Sequence, residues 1–119
     1  MQNQKENIIL VKTIAFPLSI IEYVELLEKK RKYVIAKQLM KSGTSIGANI
    51  HEAQNAESKG DFIHKFKIAA KEIEETKYWL VLCQESKSYP DCSLLVQQLN
   101  EIDKMVTKII ATSKTTISK

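Results

Sequence analysis

Three glycines and two prolines are all that 119 residues contain, about 4% where an average chain carries roughly 12%. Sandwiches, barrels and disulfide knots need many tight turns, and tight turns need those residues. So few of them leave long helices with few connections. Leu, Ile, Val and Phe supply 34 of the 119 residues, well above the ~20% below which a chain tends to stay disordered. A chain of 13.6 kDa has room for one core, so a single domain is expected over residues 1–119, with the ordered bundle at about 7–114. No apolar run approaches the ~18 residues of a membrane span, and the opening MQNQKENIIL lacks the apolar core of a signal peptide. Two cysteines cannot staple a framework and suit a reducing compartment. The expectation is a soluble, cytoplasmic helical domain.

Three breaks divide the chain: the run Lys29-Lys30-Arg31-Lys32, then Ser58-Lys59-Gly60-Asp61, then Ser86 to Pro90. Apolar residues recur at steps of three and four in each of the four segments between them. Segment one carries Phe16, Ile20, Tyr23 and Leu27, with Ile21 and Val24 beside them. Segment two carries Ala36, Leu39, Gly43, Ile46, Ile50 and Ala53; segment three Phe62, Phe66, Ala69, Ile73, Thr76, Leu80 and Cys83. Segment four carries Cys92, Leu95, Leu99, Ile102, Val106 and Ile109. Each set forms one stripe on one side of a helix, which a strand of period two cannot do. Four amphipathic helices with short links predict an all-α, antiparallel up-and-down four-helix bundle.

Ser58 followed by Asp61 resembles a capping box, with a carboxylate where the helix dipole favours it. Pro90 with Asp91 suits the first turn of segment four. Pro17 would remove a hydrogen bond from a helix interior, so it is expected in a first turn or at a bend, with regular helix from there to about Lys30.

Segment two, Tyr33 to Ala56, has a second stripe beside its apolar one: Gln38, Ser42, Ser45, Asn49 and Glu52. Neutral polar groups hold most of this line, where a solvated face would carry charges. Gly43 and Gly47 each weaken the helix by about 1 kcal/mol relative to Ala and allow another backbone to come close. A tolerant helix with small surface residues is one reading. A packed polar interface, within the bundle or between subunits, is the stronger one. The stripe Glu72, Glu75 and Trp79 of segment three could meet this line in a network with Lys71, or lie on a solvated face, where Lys71 and Glu75 stand at i, i+4.

The run Gln38-Leu39-Met40-Lys41-Ser42-Gly43-Thr44-Ser45-Ile46-Gly47-Ala48-Asn49-Ile50, then Glu52-Ala53, resembles the QLLRSGTSIGANIEEA signature of the 23S rRNA intervening-sequence proteins, also called four-helix-bundle proteins. The likeness continues through Ser58-Lys59, Asp61-Phe62-Ile63, Lys71-Glu72, Glu75-Thr76 and Tyr78-Trp79-Leu80, and more loosely to Ile109-Ile110 and Thr112-Ser113-Lys114. It spans roughly Asn7 to Lys114. Two positions depart from the pattern: Pro17 stands where a good helix-former is expected, and His51 where an acidic or small residue is usual. The resemblance implies a bundle that assembles into a ring, commonly of five subunits. Some members are encoded inside large-subunit rRNA genes, and a related branch binds nucleic acid as an accessory to reverse transcriptases. No enzymatic activity is established for that family, the role of most members is unknown, and the family name records gene location.

The sequence offers little catalytic or metal chemistry. Di-iron bundles need two Glu-x-x-His pairs, and here only Asp61 precedes a histidine, His64, at that spacing. Glu52, Glu72 and Glu75 therefore lack histidine partners, and His51-Glu52 lacks the second histidine of a zincin, its place held by Asn55. Cys83 and Cys92 fall on apolar seams near one loop and read as buried, inert thiols, with a disulfide or redox pair as the alternative. Ser42 and Ser45 have no histidine at helical spacing to act as base, and no Gly-rich phosphate loop is present. The expectation is no enzyme, no metal and no cofactor.

The chain carries +4, with 17 Lys and one Arg against 14 acids. Its densest positive patch is Lys29, Lys30, Arg31 and Lys32, continued by Lys37 and Lys41 along one face of segment two with Thr44 and His51. Cations at a helix C-terminus are favoured by the dipole alone; the alternative is a contact to RNA or DNA. No aromatic residues interleave the patch. Two functions follow. One is a ring-forming, non-enzymatic nucleic-acid-binding protein; the other is a scaffold whose basic rim docks an acidic protein partner or a reverse transcriptase.

Overall fold

The structure, a computed structural model, describes the backbone of residues 4–118 and the side chains of residues 8–115. Four helices follow one another: α1 (Gln4–Lys29), α2 (Tyr33–Ala53), α3 (Lys59–Glu85) and α4 (Ser93–Ser118). Each packs on its neighbours in the chain, and α4 closes the square against α1. The bundle measures 51 × 22 × 21 Å.

Contacts across each seam fix the directions. Thr13 meets His51 and Ile20 meets Gly43, so numbers rise on α1 as they fall on α2. Ser42 meets Thr76 and Glu52 meets Lys65 across α2 and α3. Leu80 meets Cys92, and Lys77 meets Asp103, across α3 and α4. Lys12 meets Glu101 and Tyr23 meets Pro90 across α4 and α1. Every seam is antiparallel, and the bundle is up-and-down.

All the stripe residues read from the sequence are buried, save Phe62 and, beside the first stripe, Ile21, which are half-buried. Fully enclosed Phe16, Ile20, Leu27, Leu39, Ile46, Phe66, Ile73, Leu80 and Leu99 form its centre, each worth about 1.5–3 kcal/mol relative to exposure. Ser58 caps α3 as expected. Its hydroxyl accepts from the Asp61 N–H at 3.0 Å, and the Asp61 carboxylate accepts from the Glu57 N–H at 3.1 Å.

Three boundaries differ from the sequence reading. Helix two ends at Ala53, short of Ala56, because Gln54, Asn55 and Ala56 turn their N–H groups back to carbonyls three residues earlier. Pro90 and Asp91 precede α4; Cys92 is the residue whose carbonyl accepts the first helical bond, from Val96, while Asp91 accepts from the N–H and hydroxyl of Ser93. Pro17 neither begins nor breaks α1, which runs through it from Gln4.

The last correction has a cause in α2. Pro17 has no N–H, so the Thr13 carbonyl loses its helical donor. Gly47 is packed against that carbonyl: a Cβ built on Gly47 would lie 2.6 Å from the Thr13 oxygen. The glycine Cα–H therefore points at the freed acceptor, a weak hydrogen bond of the kind found where helices touch. Beside it, the Thr13 hydroxyl donates to the Ile9 carbonyl at 2.7 Å and accepts from His51 Nε2 at 3.1 Å. Proline in a helix interior is tolerated here because a glycine on the facing helix covers its defect.

Candidate nucleic-acid interface

The α1–α2 turn spans Lys30, Arg31 and Lys32. The Lys32 N–H donates to the Leu27 carbonyl and the Arg31 N–H to the Glu28 carbonyl, both at 2.9 Å. This is the Schellman pattern, which places its hinge residue in the left-handed region and usually gives that position to glycine. Here it is Arg31, at φ 62°, the described non-glycine residue with positive φ. A left-handed L-residue costs about 1–2 kcal/mol.

Lys32 then stands at the N-cap of α2 and makes no capping hydrogen bond, and the first turn of α2 holds no acid. The first N–H groups of α2 are therefore left to solvent at the positive end of the helix dipole. Lys29, Lys30 and Arg31 are exposed around them, and Lys37 and Lys41 are exposed one and two turns along α2. Lys32 is half-buried, its ammonium 5.2 Å from the centre of the Tyr89 ring. Tyr33 is exposed beside it. The patch thus has aromatic neighbours after all: Tyr33 stands between Lys32 and Lys37 in the sequence itself, and Tyr89, which the local sequence did not reveal, arrives from the α3–α4 loop. His51 is not part of this face; its ring is held in the α1–α2 seam by Thr13.

The polar line of α2 divides its hydrogen bonds between its own helix and α3, with Thr44 beside it bonding back as well. Ser45 Oγ donates to the Lys41 carbonyl at 2.7 Å, Thr44 Oγ1 to the Met40 carbonyl at 2.7 Å, and Asn49 Nδ2 to the Ser45 carbonyl at 2.9 Å. Two members cross to α3. Buried Ser42 accepts from Thr76 Oγ1 at 2.9 Å, and Glu52 pairs with Lys65 at 3.0 Å. Gln38 is half-buried on the same side. Gly43 lets Ile20 close in, a built Cβ lying 3.0 Å from its side chain.

On α3, Trp79 Nε1 donates to Glu75 at 3.2 Å, and no ion pair joins exposed Lys71 to Glu75 among the described residues. Burial, and the neighbouring Glu75 charge, hold the Glu72 carboxyl above its ordinary range, while Lys41 pulls it down. Glu72 therefore lies within the field of the basic face of α2.

Cys83 and Cys92 are free and buried. Burial raises both thiols, Cys92 to about 11, and also raises the nearby Tyr23 phenol, which donates to the Pro90 carbonyl at 2.8 Å. Thiols this hard to ionise are poor nucleophiles. No group of three or more His, Cys, Asp or Glu able to hold a metal ion lies together among the described residues, and none of their helices is long and apolar enough to cross a membrane.

The family model of the 23S rRNA-intervening sequence protein matches residues 5–108. The chain belongs to that family. It is also similar to a crystal structure from Bacteroides thetaiotaomicron, described as a protein of unknown function from the S23 ribosomal protein family, at 38% identity and a TM-score of 0.83. That match covers 91% of this chain and 99% of the other. No curated protein matches. In this intervening-sequence protein the signature block forms nearly all of α2 after its first turn, and its two glycines face α1. The two departures from the family pattern meet at one seam: Pro17 frees the carbonyl of Thr13, and His51 binds the hydroxyl of Thr13.

Proposed function

We propose that this intervening-sequence protein is a non-enzymatic, cytoplasmic accessory protein that assembles into a ring, of five copies on the family's precedent, and holds RNA through the α1–α2 turn. The observation that carries the reading is Arg31, a cation kept at a left-handed hinge where glycine would be unstrained. Strain that stability does not explain is a mark of functional positions. Support comes from the uncapped N-terminus of α2 beside it, since bare helix N–H groups among cations suit a phosphate oxygen.

One copy at +4 binds a polyanion weakly, but five carry +20 and repeat the turn around a rim. Repetition turns weak contacts into avidity when one strand reaches several copies. Contacts to phosphate carry no sequence information, so binding is sequence-tolerant and steeply salt-dependent. Each neutralised phosphate contributes a log–log slope of about −0.7 on single strands and −0.9 on duplex.

The test is fluorescence anisotropy on a labelled single-stranded RNA of mixed sequence, from about 50 to 200 mM salt. Changing Lys30, Arg31 and Lys32 together to Gln should weaken binding and flatten the slope, with helicity and oligomer mass unchanged. Failure of the parent to bind at about 50 mM salt, or a triple variant that binds equally well, removes the reading. The scaffold alternative, a basic rim docking an acidic protein, then takes its place.

A further inference from the structure

The side of α1 turned away from the bundle is an exposed apolar row. Val11, Ile14 and Leu18 are 69%, 54% and 58% exposed, and Ile8 lies in line with them. Between Ile8 and Ile21 the only charged residue is Lys12, and its ammonium is drawn to Glu101 of α4 at 3.6 Å. A helix apolar on every side is normally buried on every side. The bundle covers only one side of this one.

The same chain carries a recess that fits one side chain of such a row. Between α3 and α4 lies a groove of about 160 Å³, floored by Leu80, Val81, Val96 and Leu99 and edged by Gln84 and Asn100. Its volume is close to the ~150 Å³ that admits a benzene molecule, enough for one branched aliphatic side chain. The charged group on its lip, Lys77, is already engaged by Asp103 and Glu74. The groove therefore offers apolar surface without an unpaired charge. Beyond Leu18 the α1 face turns acidic with exposed Glu22 and Glu25, while the loop joining α3 to α4 contributes exposed Lys87.

We infer that the α1 row of one copy docks in the α3–α4 groove of the next. This deepens the ring reading above and rests on it. The two surfaces do not overlap, because α1 packs on α2 and α4 but not on α3. One copy can thus give its row to one neighbour and its groove to another, a heterologous contact that propagates until it closes. The Lys12–Glu101 pair sets the stretch of α4 beside Asn100 at the height of the α1 row. Donor and acceptor surfaces at one height add little rise per copy, which favours a closed ring over a filament. The polar line of α2, the other candidate interface, spends its hydrogen bonds inside its own bundle.

Complementation tests this. Ile14→Glu spoils the row and leaves the groove; Val81→Glu spoils the groove and leaves the row. Both positions are more than half exposed, so each variant should keep its helical circular dichroism, and Leu18→Glu can stand in for Ile14→Glu. Light scattering on the parent should give a ring, near 68 kDa for five copies of 13.6 kDa. Each variant alone should fall to 13.6 kDa. Mixed in equal amounts, they should form dimers near 27 kDa, twice that mass, because one sound row meets one sound groove and the chain can grow no further. A ring that survives either substitution, or a mixture that stays monomeric, overturns this interface and leaves the ring reading standing. A monomeric parent at micromolar concentration overturns both.

Discussion

Helix α2 is bounded by two turns that solve the same problem in opposite ways. At its C-terminal end, residues 54–58 close the chain without positive φ and hand over to α3 through Ser58, which accepts from the Asp61 N–H, and Asp61, which accepts from the Glu57 N–H. At its N-terminal end the turn is three cations long, hinges on a strained Arg31 and starts α2 with no cap. The helix dipole accounts for part of the second turn, since Lys29 and Lys30 sit at the negative end of α1. It does not account for Lys32, which stands at the positive end of α2, nor for an arginine at φ 62°. Lys32 gains a contact with the Tyr89 ring. One turn is built for stability, and the other holds a hinge cation, Arg31, where stability would put glycine.

If stability is concentrated toward the capped end, the largest effect belongs to Gly47, one turn from His51 on the α1 seam. Gly47→Ala should destabilise the fold by about 2–3 kcal/mol, because the added methyl meets a backbone oxygen that cannot swing aside. Gly47→Leu should lose more and loosen any assembly with it. Gly43→Ala is the control. Its obstacle is a side chain rather than a backbone oxygen: Ile20, whose Cγ1 would lie 3.0 Å away, must give by a few tenths of an ångström. Alanine returns about 1 kcal/mol of helix propensity, so the two terms nearly cancel. Thermal unfolding of the three variants reads the difference; equal losses at Gly43 and Gly47 would mean that the freed Thr13 carbonyl does not organise this seam.

The cap itself comes next. Ser58→Ala should lower stability by about 1 kcal/mol and leave RNA affinity and its salt slope where they were. A loss of affinity in this variant would show that the charge contrast between the turns does not partition function from stability.

The four helices and their inward stripes were legible because they depend on period alone: Phe16, Ile20, Tyr23 and Leu27 need no knowledge of a partner to declare a face. The Ser58 cap was legible for the same reason, being local. What depended on a facing helix was not. Pro17 reads as a helix breaker until Gly47 is known to lie opposite its lost hydrogen bond. His51 reads as part of a basic face until Thr13 claims it. The polar line of α2 reads as a packed interface within the bundle or between subunits, but its spacing does not say which members cross. Ser42 and Glu52 reach α3, while Ser45 and Asn49 bond back to carbonyls four residues earlier on α2. Tyr89 joins Lys32 across 57 positions of sequence, a distance over which no motif carries information. Val11, Ile14 and Leu18 are in the sequence too, but only the packing of α1 on α2 and α4 shows that they face away from the bundle.

The smallest effect on stability is the sharpest test of the contrast. Arg31→Gly puts glycine where the Schellman hinge favours it, relieving about 1–2 kcal/mol of left-handed strain. Glycine also frees the unfolded chain, returning roughly 0.5–1 kcal/mol. The net change should be a stabilisation of about 1 kcal/mol or less, read as a small rise in melting temperature. Binding should move the other way. One lost single-strand phosphate contact lowers the salt slope by about 0.7, which at 0.1 M salt is roughly a fivefold loss of affinity relative to a 1 M reference. A variant that is both slightly more stable and measurably weaker on RNA is what a charge held at the expense of stability predicts. If Arg31→Gly gains stability and binds as before, the hinge arginine is a tolerated imperfection, and Lys29, Lys30 and Lys32 must carry the contact without it.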